Sequence, residues 1–287
     1  MRHCRCLLTA LLLWIPFATQ AVEFRVGLLH GDADIFDYEL SVVRLALEHA
    51  PGDHTLRIVP LEGMTQQRIL TTLETPNPRI NVFFSGYSPV REDRFLQVDV
   101  PLTRGLLGYR LLVTPRKALK ERAPLADIKD LRPFRIGSGI GWPDTRILSN
   151  NGLKVITSTY DNLWRMLEYG RFEFFHRGIQ EVFTELARDN RQLLTVEPRI
   201  ALVWRYDYFL YVSRERSELH DILTTGLLNA YRSGAFMDHF RQHPTIQKAL
   251  RQARLTDRTL IRLALPDAFK SLNTIPDRFW HRPGEDG

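Results

Sequence analysis

The chain has 287 residues, a formal net charge of +6 and 44% hydrophobic residues, enough for two lobes or one large domain with a buried core. Its basic residues (Arg116, Lys117, Lys120, Arg122, then Arg251, Arg254, Arg258, Arg262) are mixed with acids, which argues for a solvated surface and against nucleic acid as a partner. Cys4 and Cys6 both precede the first apolar run, so a chain cleaved after that run keeps no disulfide, thiolate metal site or cysteine nucleophile.

The N-terminus opens with Arg2 and Arg5, continues through an apolar run from Leu7 to Phe17, and reaches the small residues Ala18 to Ala21. This is the pattern of a cleaved signal peptide over residues 1–21, and the run falls short of the roughly 20 apolar residues a membrane span needs. Export to the periplasm without stable membrane insertion is the expectation. Loss of Arg2 and Arg5 leaves a charge of +4.

Val22 to Leu29 predicts a buried strand, followed by a turn at His30-Gly31-Asp32. Asp37 to His49 predicts a helix carrying Leu40, Val43, Leu45 and Leu47. A strand at Thr55–Pro60, a helix at Met64–Leu73 and a strand at Ile80–Phe84 follow. Right-handed crossovers in this βαβαβ order give parallel pairing. Gly105 to Thr114 predicts a further strand.

The segment from Phe134 to Glu181 is the most organised. A short strand at Phe134–Ile136 runs into the loop Gly137-Ser138-Gly139-Ile140-Gly141, where glycine loosens the backbone. Pro143 presets φ for a helix over Asp144–Asn150, which Asn151-Gly152 closes. A strand at Leu153–Thr157 leads through the candidate N-caps Ser158 and Thr159 into a helix with Leu163, Met166 and Leu167 on one face. Gly170 ends it, and Phe172–Phe175 predicts another strand. The loops of such an α/β unit line a ligand crevice, and amides at a helix N-terminus favour an anion.

A helix at Glu181–Asn190, a return hinge near Leu194–Glu197, and strands at Arg199–Trp204 and Tyr208–Val212 come next. Ser217 opens a helix bearing Leu219, Ile222, Leu223 and Leu227, which stops at Ser233-Gly234. A second helix, Ala235–Gln242, is stopped by Pro244. In the tail from Pro266, Phe279 and Trp280 either pin the chain to the body or leave it loose.

Taken together, Ser138-Gly139-Ile140-Gly141-Trp142 and Leu167-Glu168-Tyr169-Gly170-Arg171-Phe172-Glu173-Phe174 resemble the S-G-T-G-S loop and L-x-x-G-R-x-D-A motif of periplasmic solute-binding proteins of the amino-acid (family 3) type. The resemblance covers about Val22 to Gln247. It implies an α/β two-lobed Venus flytrap of the type 2 periplasmic-binding-protein kind, with a mixed, mostly parallel sheet in each lobe and helices on both faces. Lobe 1 would comprise residues 22–104 plus 197–265, lobe 2 residues 105–196, and the tail residues 266–287.

The resemblance also implies ligand contacts. Ser88-Pro89-Val90-Arg91 stands where the family carries T-x-x-R, so Arg91 would grip a carboxylate through its planar fork. Arg94 is its rival, and pairing with Glu92 or Asp93 is the plain alternative. Ser88, Ser138, the amides near Gly139 and Gly141, and Arg177 complete a candidate anion site. Tyr87, Trp142 and Phe175 could pack a ligand body, although Trp142 equally suits a hinge or core position, and Arg177 a salt bridge to Glu173 or Glu181. The family's ammonium-binding acid, eight residues after the motif glycine, falls on Gly178; Glu181 comes three residues late, and the loop threonine is Ile140. An ammonium without its counter-ion in a partly dry cleft is strongly disfavoured, which argues against a standard α-amino acid.

The expected function is capture of a small, anionic or carboxylate-bearing solute for an ABC-type transporter, by a monomer without cofactor, metal or catalysis. A sensor module acting through a protein partner is the alternative, and a dehydratase-like enzyme using His30, Asp32 or His176 a third. Gly137-x-Gly139-x-Gly141 lacks the dinucleotide spacing, and His239 with His243 lacks the further ligands of a zinc site.

Overall fold

The computed structural model describes residues 21–29, 33–188 and 190–284. The expected signal peptide, apart from Ala21, and the His30–Asp32 turn lie outside the described residues.

The first part of the chain alternates β1 (Glu23–Leu29), α1 (Asp37–Glu48), β2 (Thr55–Leu61), α2 (Gln66–Thr72), β3 (Val82–Gly86), α3 (Pro89–Arg94) and β4 (Phe95–Val98). Apolar residues at helical spacing bury one side of α1, and Thr65 caps α2 by accepting the Arg68 amide at 3.3 Å. The middle part runs through β5 (Tyr109–Pro115), α4 (Arg116–Glu121), α5 (Ile128–Leu131), β6 (Arg135–Gly139), α6 (Asp144–Asn150), β7 (Lys154–Ser158), α7 (Tyr160–Glu168), β8 (Phe174–Gly178), α8 (Ile179–Arg188), β9 (Leu194–Val196) and β10 (Ile200–Val203). Then follow β11 (Tyr208–Ser213), α9 (Ser217–Ser233), α10 (Ala235–Gln242), α11 (Pro244–Ala253) and β12 (Thr259–Arg262).

These strands form two mixed sheets, one per lobe, with helices packed around them: a two-lobed periplasmic-binding-protein fold. The first sheet has the order β2-β1-β3-β11-β4, and the second β12-β10-β5-β8-β6-β7 with β9 alongside β5. In the first, β1 pairs in parallel with β2 and β3, while β11 runs antiparallel to β3 and β4.

One expectation is corrected here. The chain does not return to the first lobe near Leu194–Glu197, and neither Ile200–Val203 nor Thr259–Arg262 belongs to that lobe. Strand β10 pairs antiparallel with β5, Leu202 opposite Arg110, and in parallel with β12. A four-residue apolar strand fits either sheet equally well, so its sequence did not tell which.

Two of the crossovers between lobes therefore run through Thr103–Gly108 and Trp204–Asp207, and a third passage, through α9–α11, carries the chain from β11 to β12. Asp207 fastens the first two together. Its buried carboxylate accepts the amides of Thr103, Gly105 and Tyr208, each at 2.8 Å, and the Thr103 hydroxyl. Gly105 has φ of +85° and lies under the Trp280 ring, where a Cβ would stand 2.6 Å from a ring carbon.

The tail is pinned. Phe269, Leu272, Ile275, Phe279 and Trp280 are buried. Phe269 meets Tyr87, Phe279 meets Tyr231, and the His281 amide donates to Arg104 O at 2.6 Å. Arg205, on the second crossover, donates to Leu272 O at 3.1 Å and to Ile275 O. The tail thus straps the back of the hinge.

Candidate functional site

The C-terminal ends of β1 and β3 in the first lobe face the β6–α6 loop, the start of α7 and the β8–α8 corner of the second. The cleft between them has an inner and an outer part.

The inner part is built from charges that interrupt apolar elements. Arg110 sits within β5, Arg177 on β8, Asp144 opens α6, and Glu181 with Glu185 lie one turn apart on α8. All are buried. Arg110 pairs with Asp144 at 2.6 Å, and the second nitrogen of its fork lies 3.9 Å from Glu181. Arg177 meets Glu181 at 2.8 Å and holds Glu185 through two nitrogens, at 2.8 and 2.6 Å. The hydroxyl of Tyr160 donates to Glu185 at 2.7 Å, and that of Tyr208, from the other lobe, donates to Glu181. The Arg177 guanidinium lies 5.0 Å from the centre of the Trp142 ring.

Burial alone would lower the Arg177 guanidinium, but Glu181 and Glu185 overcome it and hold the group well above its ordinary value. Burial pushes the Glu185 carboxyl up, against the pull of Arg177. His176 is held well below its ordinary value by burial, with Arg110 and Arg177 adding to the effect, and is therefore neutral. Two guanidiniums face three carboxyls, so this cluster has no surplus cation for a solute carboxylate. About 30 Å³ is left free among these side chains, room for roughly two waters.

The outer part is roomier, about 220 Å³. Leu29, Met64, Thr65 and Gln66 wall it on the first lobe, and Gly139, Ile140, Trp142, Thr159, Tyr160 and Asp161 on the second. Trp142 and Tyr160 also line the inner part. The Trp142 indole lies on Gly139, where a Cβ would approach it to 2.2 Å, and stacks on Phe175 at 6.2 Å between centroids.

The eight residues singled out in the sequence divide accordingly. Trp142, Arg177 and Gly139 come together at the cleft. Arg91 is buried behind it, donating to Gly86 O, to Gln66 Oε1 at 3.0 Å and, across the lobes, to Gly141 O at 3.5 Å. It lines neither part of the cleft, while its rival Arg94 pairs with Glu74 on the surface. Ser138 is buried among Thr145 and His176, both at 3.0 Å. Gly141 is exposed, with φ of +76°. Tyr87 is turned away from the cleft, bonded to Glu92 at 2.6 Å and to Ser271 of the tail. Ser88 stands at the N-cap of α3, half-buried, and makes no side-chain capping bond. Of the loop amides, Ile140 donates to Ser158 O and Trp142 to Gly139 O, both at 3.0 Å. Phe175 is core.

Sequence reasoning missed Arg110, Asp144 and Glu185. The signal was present: an arginine inside the apolar run Leu106–Val113, and acids at helical i, i+4 spacing behind a strand arginine. It also left the corner near Gly178 without an acid, whereas the Glu181 carboxylate reaches back to the Gly178 amide at 3.2 Å.

No family model matches the chain, and no curated protein matches it by sequence. Solved structures match the fold. An ancestral arginine-binding protein bound to arginine is 13% identical with a TM-score of 0.57, over 77% of this chain and 97% of that one. A histidine kinase sensor domain with similarity to periplasmic binding proteins is 15% identical with a TM-score of 0.57, over 76% and 93%. An amino acid ABC transporter substrate-binding protein from Streptococcus pneumoniae, bound to L-arginine, is 11% identical with a TM-score of 0.56, over 77% and 92%. Among the described residues, no helix is long and apolar enough to cross a membrane.

Proposed function

On the premise of a divergent periplasmic-binding-protein fold of the amino-acid-binding type, we propose that this protein is a periplasmic, non-catalytic receptor that captures a small solute in the outer part of its interlobe cleft. The observation that carries the reading is the outer cavity of about 220 Å³, which both lobes wall. A solute there touches Met64 and Gln66 on one side and Trp142 and Tyr160 on the other. It thereby favours the closed arrangement over an open one, the differential affinity that closure requires.

The preferred solute has an apolar or aromatic body to lie on Trp142 and a hydrogen-bonding edge to meet Thr65, Gln66 and Thr159. A carboxylate-bearing solute, the expectation from Arg91 and Arg177, loses support because both arginines are already engaged within the protein. Hand-over to an ABC-type transporter is the proposed role, by analogy with the solute-binding neighbours.

A specific observation favours sensing through a protein partner as the second reading. The inner cleft is filled by the protein's own ion pairs, so the lobes already meet through Tyr208 and Glu181. A sensor domain is also among the similar structures.

A thermal-shift screen against amino acids, organic anions, short peptides and polyamines tests the choice. A shift of several degrees that is lost in Trp142→Ala supports capture at the outer cleft. A shift that survives Trp142→Ala but not Arg177→Met places the solute in the inner part instead and overturns the proposed location. No shift from any compound moves the weight to the sensor reading.

A further inference from the structure

Glu39, on α1 of the first lobe, and Gln180, in the first turn of α8 of the second, meet at the seam between the lobes. Both are buried, and neither lines the inner or outer cleft. Both carboxyl oxygens of Glu39 and both amide atoms of Gln180 lack a hydrogen-bond partner among the described residues. Four such atoms in one dry place are costly, and native proteins leave few of them. The bare Gly178 corner gives the amide its room, since a Cβ there would stand 2.7 Å from Gln180 Oε1.

The neighbouring acids offer Glu39 no donor. Glu181 already accepts from Arg177, the Gly178 amide and the Tyr208 hydroxyl, and Asp207 from the crossover amides. Burial is the largest effect on the Glu39 carboxyl and pushes it well above its ordinary value; Glu181 and Asp207 push the same way, while its own amide and Gln180 oppose them. The phenols of Tyr38 and Tyr208 face the same seam, are raised well above their ordinary values by burial, and are neutral. Arg104 acts on Tyr38, and Arg177, engaged with Glu181 and Glu185, acts on Tyr208.

We propose that Glu39 and Gln180 form a proton-dependent latch between the lobes, closed when Glu39 carries a proton and released when it ionises. A carboxylic acid matches a primary amide on both sides: its O–H donates to Oε1, and its second oxygen accepts from Nε2. A carboxylate accepts from Nε2 alone and leaves Oε1 without a donor. Closing therefore takes up one proton from solvent, and ionisation favours the open arrangement in which water reaches Glu39. Because the closed state raises the carboxyl, closure is favoured at low pH and lost as pH rises. The latch rests on the lobe closure of the preceding reading and not on which solute, if any, is bound.

The test is the distance between spin labels on the two lobes, measured without solute from pH 5 to 9. The labels sit on cysteines introduced at the exposed positions Glu62 and Tyr169, with Cys4 and Cys6 replaced by serine. In the wild type the distance should lengthen by several ångströms as pH rises. Glu39→Gln, which cannot ionise, should keep the short distance throughout. Gln180→Leu, which removes the matching amide, should open at lower pH than the wild type. If Glu39→Gln does not fold, Gln180→Leu alone decides. A wild-type distance that does not change with pH, a change that persists in Glu39→Gln, or a Gln180→Leu profile identical to the wild type overturns the latch. None of these results depends on the solute screen, so the latch and solute capture fail separately.

Discussion

Arg177 and Glu185 face each other from β8 and α8 of one lobe and close a two-pronged pair, Nε to Oε2 at 2.8 Å and Nη2 to Oε1 at 2.6 Å. Both are buried. A pair of this kind contributes little net stability relative to apolar residues, yet breaking it from one side is expensive because a charge is left alone. Arg177→Met leaves Glu181 and Glu185 buried without their shared cation. The expected loss is about 3–5 kcal/mol in urea unfolding. Wild-type stability in this variant would show that the carboxyls do not depend on Arg177.

The hinge gives a pH prediction. Burial pushes the Asp207 carboxyl from its ordinary value of 3.8 up to about 7, against four hydrogen bonds that pull it down. Its folded value lies above its unfolded one, so the group's contribution to stability is fully present below about pH 4. It is lost progressively as pH rises through 7. Glu185 is shifted in the same direction, while Glu173 is lowered and opposes them at acid pH, its contribution being lost as pH falls. The difference between wild type and Asp207→Asn isolates the one group. Melting temperatures measured from pH 4 to 8 should fall more steeply with rising pH in the wild type than in the variant. Parallel curves would refute the assignment.

Gly226 provides a case where two physical effects have opposite signs. It lies inside α9, where alanine would favour the helix by about 1 kcal/mol. A Cβ there would come within 1.9 Å of the Ala46 carbonyl oxygen on α1, and backbone cannot step aside as a flexible side chain can. Overpacking of this kind costs about 1–3 kcal/mol and occasionally more. Because the clash is with backbone, the cost is expected at the upper end of that range, and Gly226→Ala is expected to lose about 2 kcal/mol net in chemical denaturation. A stabilised variant would mean that the two helices separate readily.

The parts of the fold legible in the sequence were those where pattern and punctuation coincide. Helix α1 was expected at Asp37–His49 and is found at Asp37–Glu48; α10, at Ala235–Gln242, matches to the residue. Glycine and proline set their ends, and apolar spacing set their faces. Membership of β10 and β12 was not legible, because a run such as Ile-Ala-Leu-Val states burial and says nothing of which sheet buries it. The site was half legible for a related reason. Trp142 and Arg177 follow from the loop and strand that carry them. The partners of Arg177 come from α8, and Tyr208 arrives from more than twenty residues further along, from the other lobe. Arg91 had the right neighbours in sequence, yet its fork is turned towards Gly86 and Gln66.

Asp207 grips the opposite crossover chiefly by its peptide nitrogens, those of Thr103 and Gly105. Peptide nitrogens are present whatever side chain is encoded. The joint between the lobes is therefore insulated from most substitution on the gripped strand: replacing Thr103 removes one hydroxyl contact and leaves its amide in place. Proline alone among the coded residues deletes such a donor. Selection for an intact joint would act on position 207, on proline at 103 and 105, and on the room beneath Trp280 that Gly105 preserves, while the remaining crossover side chains are free of that particular constraint.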